Sequence, residues 1–361
     1  MDCRCPTHEP SRTDADFPVG VVIPLRGPAG IFGPSCEAVT EVAVAEVNAD
    51  GGVLGRAVRP VVIDGGAPPS EVAATVSSLV RSGAIHAVTG WHISQVRQHL
   101  VPVVTGHVPY VYTSLYEGGE SANGVFCSGE TPPDQIAPAL RWMRAELGMR
   151  RIFLVGDDYV WPRGTARAVR SYAQRLGVRL VGESFVPLGT HDFRSVLTRI
   201  SRSRPDTVLM LLVGQDAVHF NREFAAWGLH DSIRRLSPLM EENMLLGSGP
   251  ESTSGLFVAA AYFRSLATAS AMDLTSAYAR MHGPTAPALN NMAESCFEGI
   301  MALSALARRA GTIQAERLAA VGDQVGYDGP RGTMQISRAH VRQPVYLANA
   351  EGTSFDIITR L

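Results

Sequence analysis

Two aromatic side chains stand at the corner between a strand and a helix in the segment LVGDDYVWPRGTA (154–166). The corner carries Tyr159 and Trp161, and it has neither a catalytic nucleophile nor a run of glycines. Flat rings with an O–H or N–H group can close on a small, partly apolar molecule and hydrogen-bond its polar end. The segment therefore indicates a binding site, and packing between domains is the alternative for both rings.

A second group of polar and aromatic side chains follows two strand-like runs, HAVTG and VPYVYTS, earlier in the chain. The group consists of His92, Ser94, Tyr112, Ser114 and Tyr116. Tyr112 and Ser114 share one side of their strand because strand side chains alternate. Ser94 stands at the start of a helical pattern, where free backbone N–H groups bind carbonyl or carboxylate oxygens. The alternatives are a helix cap for Ser94, a structural role for His92, a half-exposed strand-end position for Tyr112 and packing under the loop for Tyr116.

Composition and motif spacing argue against an enzyme. All 32 basic residues are arginine, which excludes a Schiff-base lysine and a phosphate-loop lysine. The glycines of GPAGIFG miss the GxGxxG spacing of dinucleotide sites, and no HExxH, GxSxG or clustered Cys/His spacing occurs. No set of nucleophile, base and orienting group can be assembled. The sequence therefore predicts a non-enzymatic protein without a metal or a cofactor.

Charge and hydropathy limit the expected partners and location. The net charge is −2 and no basic block occurs, so neither nucleic acid nor an anionic membrane surface is an expected partner. No stretch of about 18 apolar residues could span a membrane, and the first residues lack the apolar segment of a secretory signal. The five cysteines are scattered. These patterns predict a cytoplasmic protein without a disulfide framework.

Strand-like and helix-like runs alternate along most of the chain, which predicts an α/β fold with parallel sheets. About nine or ten such strands are too many for one comfortable open sheet, so we expect two doubly wound, Rossmann-like lobes joined by several chain crossings. We assign 1–15 to a disordered tail, 16–128 plus 254–328 to the N-terminal lobe, and 129–253 plus 329–361 to the C-terminal lobe. Ligands of such sheets bind at the carboxyl ends of the strands, here in a cleft between the lobes.

Several segments resemble a known family. VVIPLRGPAGIFGPSCEAVTEVAVAEVNADGGVLGRAVRPVVID and GYDGPRGTMQISRAHVRQPVYLA resemble the opening and closing segments of type I periplasmic-binding-fold proteins of the branched-chain amino acid, urea and amide group. TGWHISQVRQHLVPVV, YVYTSLYEG, GDDYVWPRGTA and VPLGTHDF resemble the cytosolic amide sensors that act as negative regulators of aliphatic amidase operons. The resemblance covers about residues 16–361 and implies the type I periplasmic binding protein fold.

The resemblance also implies a ligand site. Its residues would be His92, Ser94, Tyr112, Ser114, Tyr116, Tyr159, Trp161, Val213 and Glu241. Ser94 would donate a hydrogen bond to the ligand, and Val213 would form an apolar wall. In amino-acid receptors of the group, a glutamate near the position of Glu241 pairs with the ligand's ammonium group. The alternative for Glu241 is a solvated helix start stabilised by the helix dipole.

The function implied is that of a cytosolic sensor for a small amide, or a related nitrile-derived or urea-like compound. Closure of the lobes on this small polar ligand would shift the population toward the closed form. The closed form would change binding to a regulatory protein partner that controls amide- and nitrile-degrading genes. The alternative function is a solute-binding protein of an ABC importer for amides, urea or branched-chain amino acids. The oligomeric state is left open, with a homodimer as one alternative.

Overall fold

The structure, a computed structural model, describes residues 16–361 and consists of two α/β lobes, each built on a mostly parallel sheet packed by helices. The strands are β1 Asp16–Ile23, β2 Ala57–Asp64, β3 Ala87–Gly90, β4 Tyr110–Tyr112, β5 Val125–Cys127, β6 Arg151–Asp157, β7 Arg179–Val186, β8 Thr207–Leu211, β9 Arg234–Ser237, β10 Leu256–Ala260, β11 Gly326–Gly329, β12 Gly332–Ser337, β13 His340–Arg342, β14 Tyr346–Glu351 and β15 Ser354–Arg360. The helices are α1 Gly33–Ala49, α2 Pro69–Arg81, α3 Ser94–Val104, α4 Pro132–Glu146, α5 Val160–Leu176, α6 Arg194–Ser203, α7 Gln215–Ala226, α8 Glu242–Ser248, α9 Ala269–His282, α10 Asn291–Ala310 and α11 Ala315–Val321. A short 3-10 helix, Pro28–Phe32, precedes α1.

The two sheets confirm the prediction of two doubly wound lobes. The first sheet has the order β11-β12-β13-β5-β4-β3-β1-β2, and the second has the order β15-β14-β10-β9-β8-β6-β7. The strands from β1 to β5 are parallel to one another, as are those from β6 to β10. The antiparallel strands come from the end of the chain. Each lobe therefore presents the carboxyl ends of several parallel strands along one edge.

Two parts of the predicted lobe boundaries are wrong. The range 254–328 is predicted in the N-terminal lobe, but β10 lies in the second sheet between β9 and β14. The range 329–361 is predicted in the C-terminal lobe, but β12 and β13 extend the first sheet, where β13 pairs with β5. The physical reason is that partner strands distant in sequence decide which sheet a strand joins. The predicted disordered tail, 1–15, lies outside the described residues.

Buried polar side chains connect the three places where the described chain crosses between the lobes, which follow β5, β10 and β13. Glu130 of the first crossing accepts hydrogen bonds from the backbone N–H of Ala261 in the second crossing (2.8 Å) and from the side-chain amide of Asn291 (3.2 Å). The guanidinium of Arg331 donates to the Asn291 side-chain oxygen at 3.3 Å and to Gln343 of the third crossing. The crossings therefore form one connected hinge.

The central strand β8 of the second sheet is buried along its whole length. All five residues of β8, TVLML, are buried, as expected for a parallel strand with helices on both faces. Cys36 and Cys296, predicted to be buried thiols on helices, are buried and free, and so is Cys127. These apolar layers fix the strand ends that form the cleft.

Candidate functional site

The cleft lies between the carboxyl edges of the two sheets, and the lobes touch across it at two glycines. A Cβ atom added to Gly214 of the second lobe would lie 2.1 Å from the carbonyl oxygen of Pro28 in the first lobe. A Cβ atom added to Gly164, in α5, would lie 2.7 Å from the Cβ atom of Glu117 in the first lobe. Both distances are shorter than any ordinary contact, so the two lobes are closed on each other.

The predicted site residues are almost all enclosed by this closure. Those that are 2% exposed or less are His92, Ser94, Tyr112, Ser114, Tyr116, Trp161, Val213 and Glu241. Tyr159 is half-buried. Burial alone does not make a residue available to a ligand, because the polar groups of several of these side chains already have protein partners.

Ser94 begins α3 and remains the predicted residue best placed to meet a ligand oxygen. The capping position before it is Ile93, and no described side chain caps this helix. The Ser94 hydroxyl reaches only the Tyr112 hydroxyl, at 3.5 Å, the longest distance that still counts as a hydrogen bond. The alternative of a plain helix cap is therefore wrong for Ser94. Its hydroxyl and the first N–H groups of α3 form a donor set at the cleft.

His92 is not presented to a ligand, which corrects the prediction for this residue. Its Nδ1–H donates to the Val22 carbonyl oxygen at 3.1 Å, since a carbonyl can only accept. Its Nε2 therefore accepts from the Tyr110 hydroxyl, at 2.6 Å. Burial lowers the pKa of His92 to about 3, with a smaller contribution from the charge of Arg97. The imidazole is thus a neutral structural link between β1 and β4.

Tyr112 and Ser114 lie at the end of β4, as predicted, and both side chains bind the backbone that follows β3. The Tyr112 hydroxyl donates to the His92 carbonyl oxygen at 3.0 Å, and the Ser114 hydroxyl donates to the same oxygen at 2.7 Å. The Ser114 oxygen also accepts from the His92 N–H at 2.9 Å. Their side chains hold the cleft edge of the first lobe in place, so the part of them available to a ligand is the Tyr112 oxygen beside Ser94.

Tyr116 packs beneath the loop, which corrects its assignment to the pocket. Its hydroxyl is 2.8 Å from Nδ1 of His340, and the two rings stack with planes 3° apart. On the other side, the Arg97 guanidinium carbon lies 4.9 Å from the Tyr116 ring centre and 5.4 Å from the Tyr112 ring centre. Arg97 also pairs with Glu117 at 2.5 Å. Sequence reasoning missed Arg97, although it stands one helical turn after Ser94.

Tyr159 and Trp161 stand at the start of α5, on the second lobe, as the sequence predicts. Their ring centres are 6.3 Å apart with planes at 44°. Burial, followed by the charge of Asp157, raises the pKa of the Tyr159 hydroxyl, and Tyr112 and Glu117 of the first lobe lie close enough to contribute. These rings therefore face the first lobe and can form the apolar wall of the cleft.

Val213 and Glu241 differ in what they offer. Val213 is fully buried after β8, consistent with an apolar wall. The Glu241 carboxylate caps α8, accepting from the backbone N–H groups of Asn243 (2.8 Å) and Met244 (2.9 Å). Burial, aided by the charge of Glu242, raises the pKa of Glu241 to about 8. The side chain is neither a solvated helix start nor a free carboxylate, so its predicted pairing with an ammonium group finds no support here.

A pair of buried carboxyl groups, Asp157 and Asp216, is a feature that the sequence prediction missed. Asp157 ends β6 and Asp216 lies in the first turn of α7, and both are fully buried. The sequence signal that indicates them is their position, because Asp157 ends strand β6 and Asp216 follows strand β8. Within residues 16–361, no group of three or more His, Cys, Asp or Glu side chains could hold a metal ion.

A cavity of 630 Å³ lies beside the hinge rather than in the cleft. Its lining includes Glu130, Arg338, His340, Arg342 and Gln343. The Glu130 carboxylate already accepts from the Ala261 N–H. The His340 ring already bonds to the Tyr116 hydroxyl and to the backbone carbonyl oxygen of Glu120. This cavity is a gap at the hinge and carries no argument for a ligand. Among the helices of the described part of the chain, none is long and apolar enough to cross a membrane.

Comparison with known sequences gives a consistent family assignment. The sequence model of a family described as periplasmic binding protein matches residues 16–354 of the chain. The Leu/Ile/Val-binding protein BraC3 of Rhizobium johnstonii is 24% identical over 209 residues, which cover 54% of this chain and 54% of that protein. The Leu/Ile/Val/Thr-binding protein of Salmonella typhimurium is 26% identical over 197 residues, again 54% of each. The chain thus spans about half the length of the curated relatives it matches, and these relatives are binding proteins rather than enzymes.

Solved structures extend the likeness of fold to nearly the whole chain. A solute-binding protein of an R. palustris ABC transporter, in complex with benzoate, has a TM-score of 0.82 at 19% identity and covers 96% of both chains. The branched-chain amino acid transporter substrate-binding protein LivJ of Streptococcus pneumoniae, in complex with isoleucine, has a TM-score of 0.81 at 18% identity, covering 95% of this chain and 99% of its own. These values confirm the predicted two-lobed fold of the type I periplasmic binding proteins.

Proposed function

Since the chain belongs to the periplasmic binding protein family, we propose that it is the solute-binding protein of an ABC importer and holds a small molecule between its two lobes. The names of the relatives, which are binding proteins for branched-chain amino acids, and the transporter origin of the similar structures support this proposal. The importer was the alternative in the sequence analysis, and it becomes the leading function here.

The observation that carries the proposal is that three helices without a capping side chain begin at the carboxyl edges of the two sheets. No described side chain caps α3 of the first lobe, or α5 and α7 of the second. Free N–H groups and the positive end of the helix dipole favour an oxygen acceptor with negative charge or partial charge. Trp161 and Tyr159 add an apolar wall next to these donors. A solute with a carboxylate or amide oxygen and an apolar body fits this arrangement.

The carboxylates around the cleft argue against a solute that needs an ammonium partner. Glu241 accepts two backbone N–H groups, and Glu117 pairs with Arg97. Asp64, at the end of β2, accepts from the backbone N–H groups of Leu25 and Gly66. A positively charged group in the cleft would have to break one of these arrangements. We therefore propose a small amide or a small carboxylic acid as the solute, in preference to an amino acid.

A cytoplasmic amide sensor remains the second candidate function, with a regulatory protein as its partner. The observation that favours it is the neutral set formed by the Ser94 hydroxyl, the acceptor oxygen of Tyr112 and the N–H groups at the start of α3, which suits an uncharged amide as well as it suits an acid. Cell fractionation separates the two functions, because an importer component acts outside the cytoplasm. The cytoplasmic location predicted from the sequence stays a prediction until then.

Thermal unfolding with matched solutes tests the proposal. The panel pairs leucine with 4-methylpentanoate and 4-methylpentanamide, and adds benzoate, benzamide and urea. A solute at about 100 times its dissociation constant stabilises the native state by roughly 2.7 kcal/mol, which is a visible shift. We expect acids or amides to stabilise the protein and leucine to have little effect. Stabilisation by leucine alone would contradict the solute class, and no stabilisation by any member would contradict the proposed function itself.

A further inference from the structure

The carboxyl groups of Asp157 and Asp216 form a closed pair at the cleft edge of the second lobe. One oxygen of Asp157 accepts from the backbone N–H of Val213 at 2.7 Å. One oxygen of Asp216 accepts from the N–H groups of Gly189 (2.6 Å) and Thr190 (3.3 Å). The second oxygen of each carboxyl is buried and has no hydrogen-bond partner among residues 16–361. Both aspartates flank Val213, since the Asp216 N–H donates to the Val213 carbonyl oxygen at 3.0 Å, and the two carboxyl groups are close enough to act on each other's pKa.

Two buried carboxyl groups this close together favour a shared proton. Two buried carboxylates in contact cannot both be ionised at modest cost, because their charges repel where little water screens them. Burial, followed by the charge of Asp216, raises the pKa of Asp157 well above its usual range. Burial also raises the pKa of Asp216. Each group therefore favours a state in which the pair holds a single shared proton.

The pair connects three loops that shape the closing surface of the second lobe. Asp157 leads into the corner that carries Tyr159 and Trp161. Asp157 also holds the loop before α7 through its hydrogen bond from Val213. Asp216 holds the loop after β7 through its hydrogen bond from Gly189. Two glycines of these loops, Gly214 and Gly189, are the residues that face Pro28 of the first lobe. The carboxyl pair thus lies behind both the aromatic wall and the contact between the lobes.

We propose that Asp157 and Asp216 are positioning residues whose one shared proton holds these loops in the shape that closes on the solute, so that affinity for the solute falls when alkaline pH removes that proton. The inference rests on the proposed function, since it concerns regulation of the same cleft. Loss of the proton leaves two adjacent negative charges, and their repulsion separates the loops. The proton passes to solvent, and no covalent bond other than that O–H bond changes.

Other titratable and charged groups face the pair and must be distinguished from it. They are His191, whose charge acts on Asp216, together with Tyr159 and His219, while Arg222 and Glu223 lie beside His219. The rings of His191 and His219 are 4.7 Å apart. Replacing one aspartate by asparagine removes the shared proton and leaves all of these groups in place. Any pH dependence that such a variant keeps belongs to them.

The test compares wild type, Asp157→Asn and Asp216→Asn with the control Asp64→Asn. Asparagine keeps an oxygen for the backbone N–H groups and supplies an N–H for the remaining aspartate, so its link does not depend on pH. Asp64 also ties backbone N–H groups at a cleft edge, but its other oxygen pairs with the guanidinium of Arg26 at 2.7 Å. The first readout is the dissociation constant of benzamide, a neutral probe that does not itself titrate, between pH 6 and pH 9. The second readout is the urea midpoint of the ligand-free protein over the same range.

We expect the benzamide dissociation constant of wild type and of Asp64→Asn to rise by about tenfold from pH 6 to pH 9. It should stay flat in Asp157→Asn and Asp216→Asn. A flat wild-type profile, or an unchanged slope in both asparagine variants, would overturn the inference while leaving solute binding intact. If neither benzamide nor any other member of the solute panel binds, the proposed function fails instead. The urea midpoint of the ligand-free protein then tests the aspartate pair. It should decline with rising pH in wild type and decline less in both asparagine variants.

Discussion

The two edges of the cleft are built at the same topological position but held together by different chemistry. On the first lobe, His92, Tyr112 and Ser114 join the ends of β3 and β4 through neutral donors and acceptors. On the second lobe, the links are acids: the Asp157–Asp216 pair and the Glu241 cap. Each edge buries groups that are stable in the neutral form, so each edge loses stability when a change in pH favours the charged form. For the first lobe that change is a fall in pH, and for the second lobe it is a rise in pH.

The signs follow from the pKa shifts. The pKa of His92 is lowered to about 3, so below about pH 6.5 the unfolded chain binds a proton at this residue and the folded chain does not. Stability therefore falls as pH falls. The pKa of Glu241 is raised to about 8, so the folded chain holds a proton that the unfolded chain releases above about pH 4.3, and stability falls as pH rises toward 8. The first lobe is thus a fixed platform at neutral and alkaline pH, and the second lobe is the part that responds to pH.

The largest effect is expected for Trp161→Ala, which removes the aromatic wall of the second lobe. Its side chain is 2% exposed in the closed structure, and buried aromatic anchors of this kind carry a large share of binding energy. We expect solute affinity to fall by about 100-fold, measured by calorimetry with the best solute of the panel. Trp227→Ala is the control, since Trp227 is 43% exposed beyond α7. Equal affinities for the two variants would show that the second lobe has no aromatic wall.

His92→Phe breaks the first-lobe platform. The change leaves the Val22 carbonyl and the Tyr110 hydroxyl without their present partner, and a buried unsatisfied group costs about 1–3 kcal/mol. We expect the free energy of unfolding to drop by roughly 2 kcal/mol above pH 7. The deficit should shrink below about pH 6.5, where wild type itself loses stability. A deficit that grows on the acid side would mean that His92 is charged in the folded protein.

Glu241→Gln sharpens the contrast on the second lobe. The variant loses part of the helix cap, at a cost of about 1 kcal/mol at acidic pH. Wild-type stability should fall between about pH 4.3 and pH 8 by up to about 1.4 kcal/mol per pH unit because of this carboxyl group, and the variant should lack that contribution. Urea denaturation at several pH values measures both slopes. Parallel slopes would show that Glu241 is ionised in the folded protein.

Ser94→Ala is expected to have the smallest effect. The hydroxyl has only one long contact, with Tyr112 at 3.5 Å, so the fold loses little. A neutral hydrogen bond to the solute is worth about 1 kcal/mol, or roughly a fivefold change in affinity. Calorimetry should show this loss with an unchanged urea midpoint. Unchanged affinity would limit the first lobe's contribution to the backbone N–H groups of α3.

The sequence was informative about the fold because the fold depends on local patterns. Continuous apolar runs such as TVLML become buried strands, and helical runs alternate with them as predicted. The assignment of β10, β12 and β13 to lobes failed because it depends on pairing between segments far apart in the chain. No local pattern distinguishes a strand that joins the second sheet from one that joins the first.

The sequence indicated where the candidate site residues stand on strands and helices, but not which hydrogen bonds they make. Tyr159, Trp161 and Ser94 lie at the cleft because strand ends and helix starts are readable from sequence. His92 and Glu241 were misjudged, because the groups that satisfy them belong to other segments or to a helix start whose burial the sequence does not reveal. A polar side chain at a strand end can serve the ligand or the backbone, and only its hydrogen-bond partners decide between the two.

The most direct test of closure is small-angle scattering of wild type and Gly164→Ala with and without the best solute. Alanine favours the α5 helix by about 1 kcal/mol over glycine, so the lobe itself should not be weakened. Its Cβ atom would nevertheless lie 2.7 Å from that of Glu117 across the cleft. Gly247→Ala, which meets only ordinary contacts, is the control. We expect the solute to reduce the radius of gyration of wild type and of the control. The Gly164→Ala variant should stay expanded and bind the solute about tenfold more weakly. The same radius and the same affinity in all three proteins would contradict closure of the lobes on the solute.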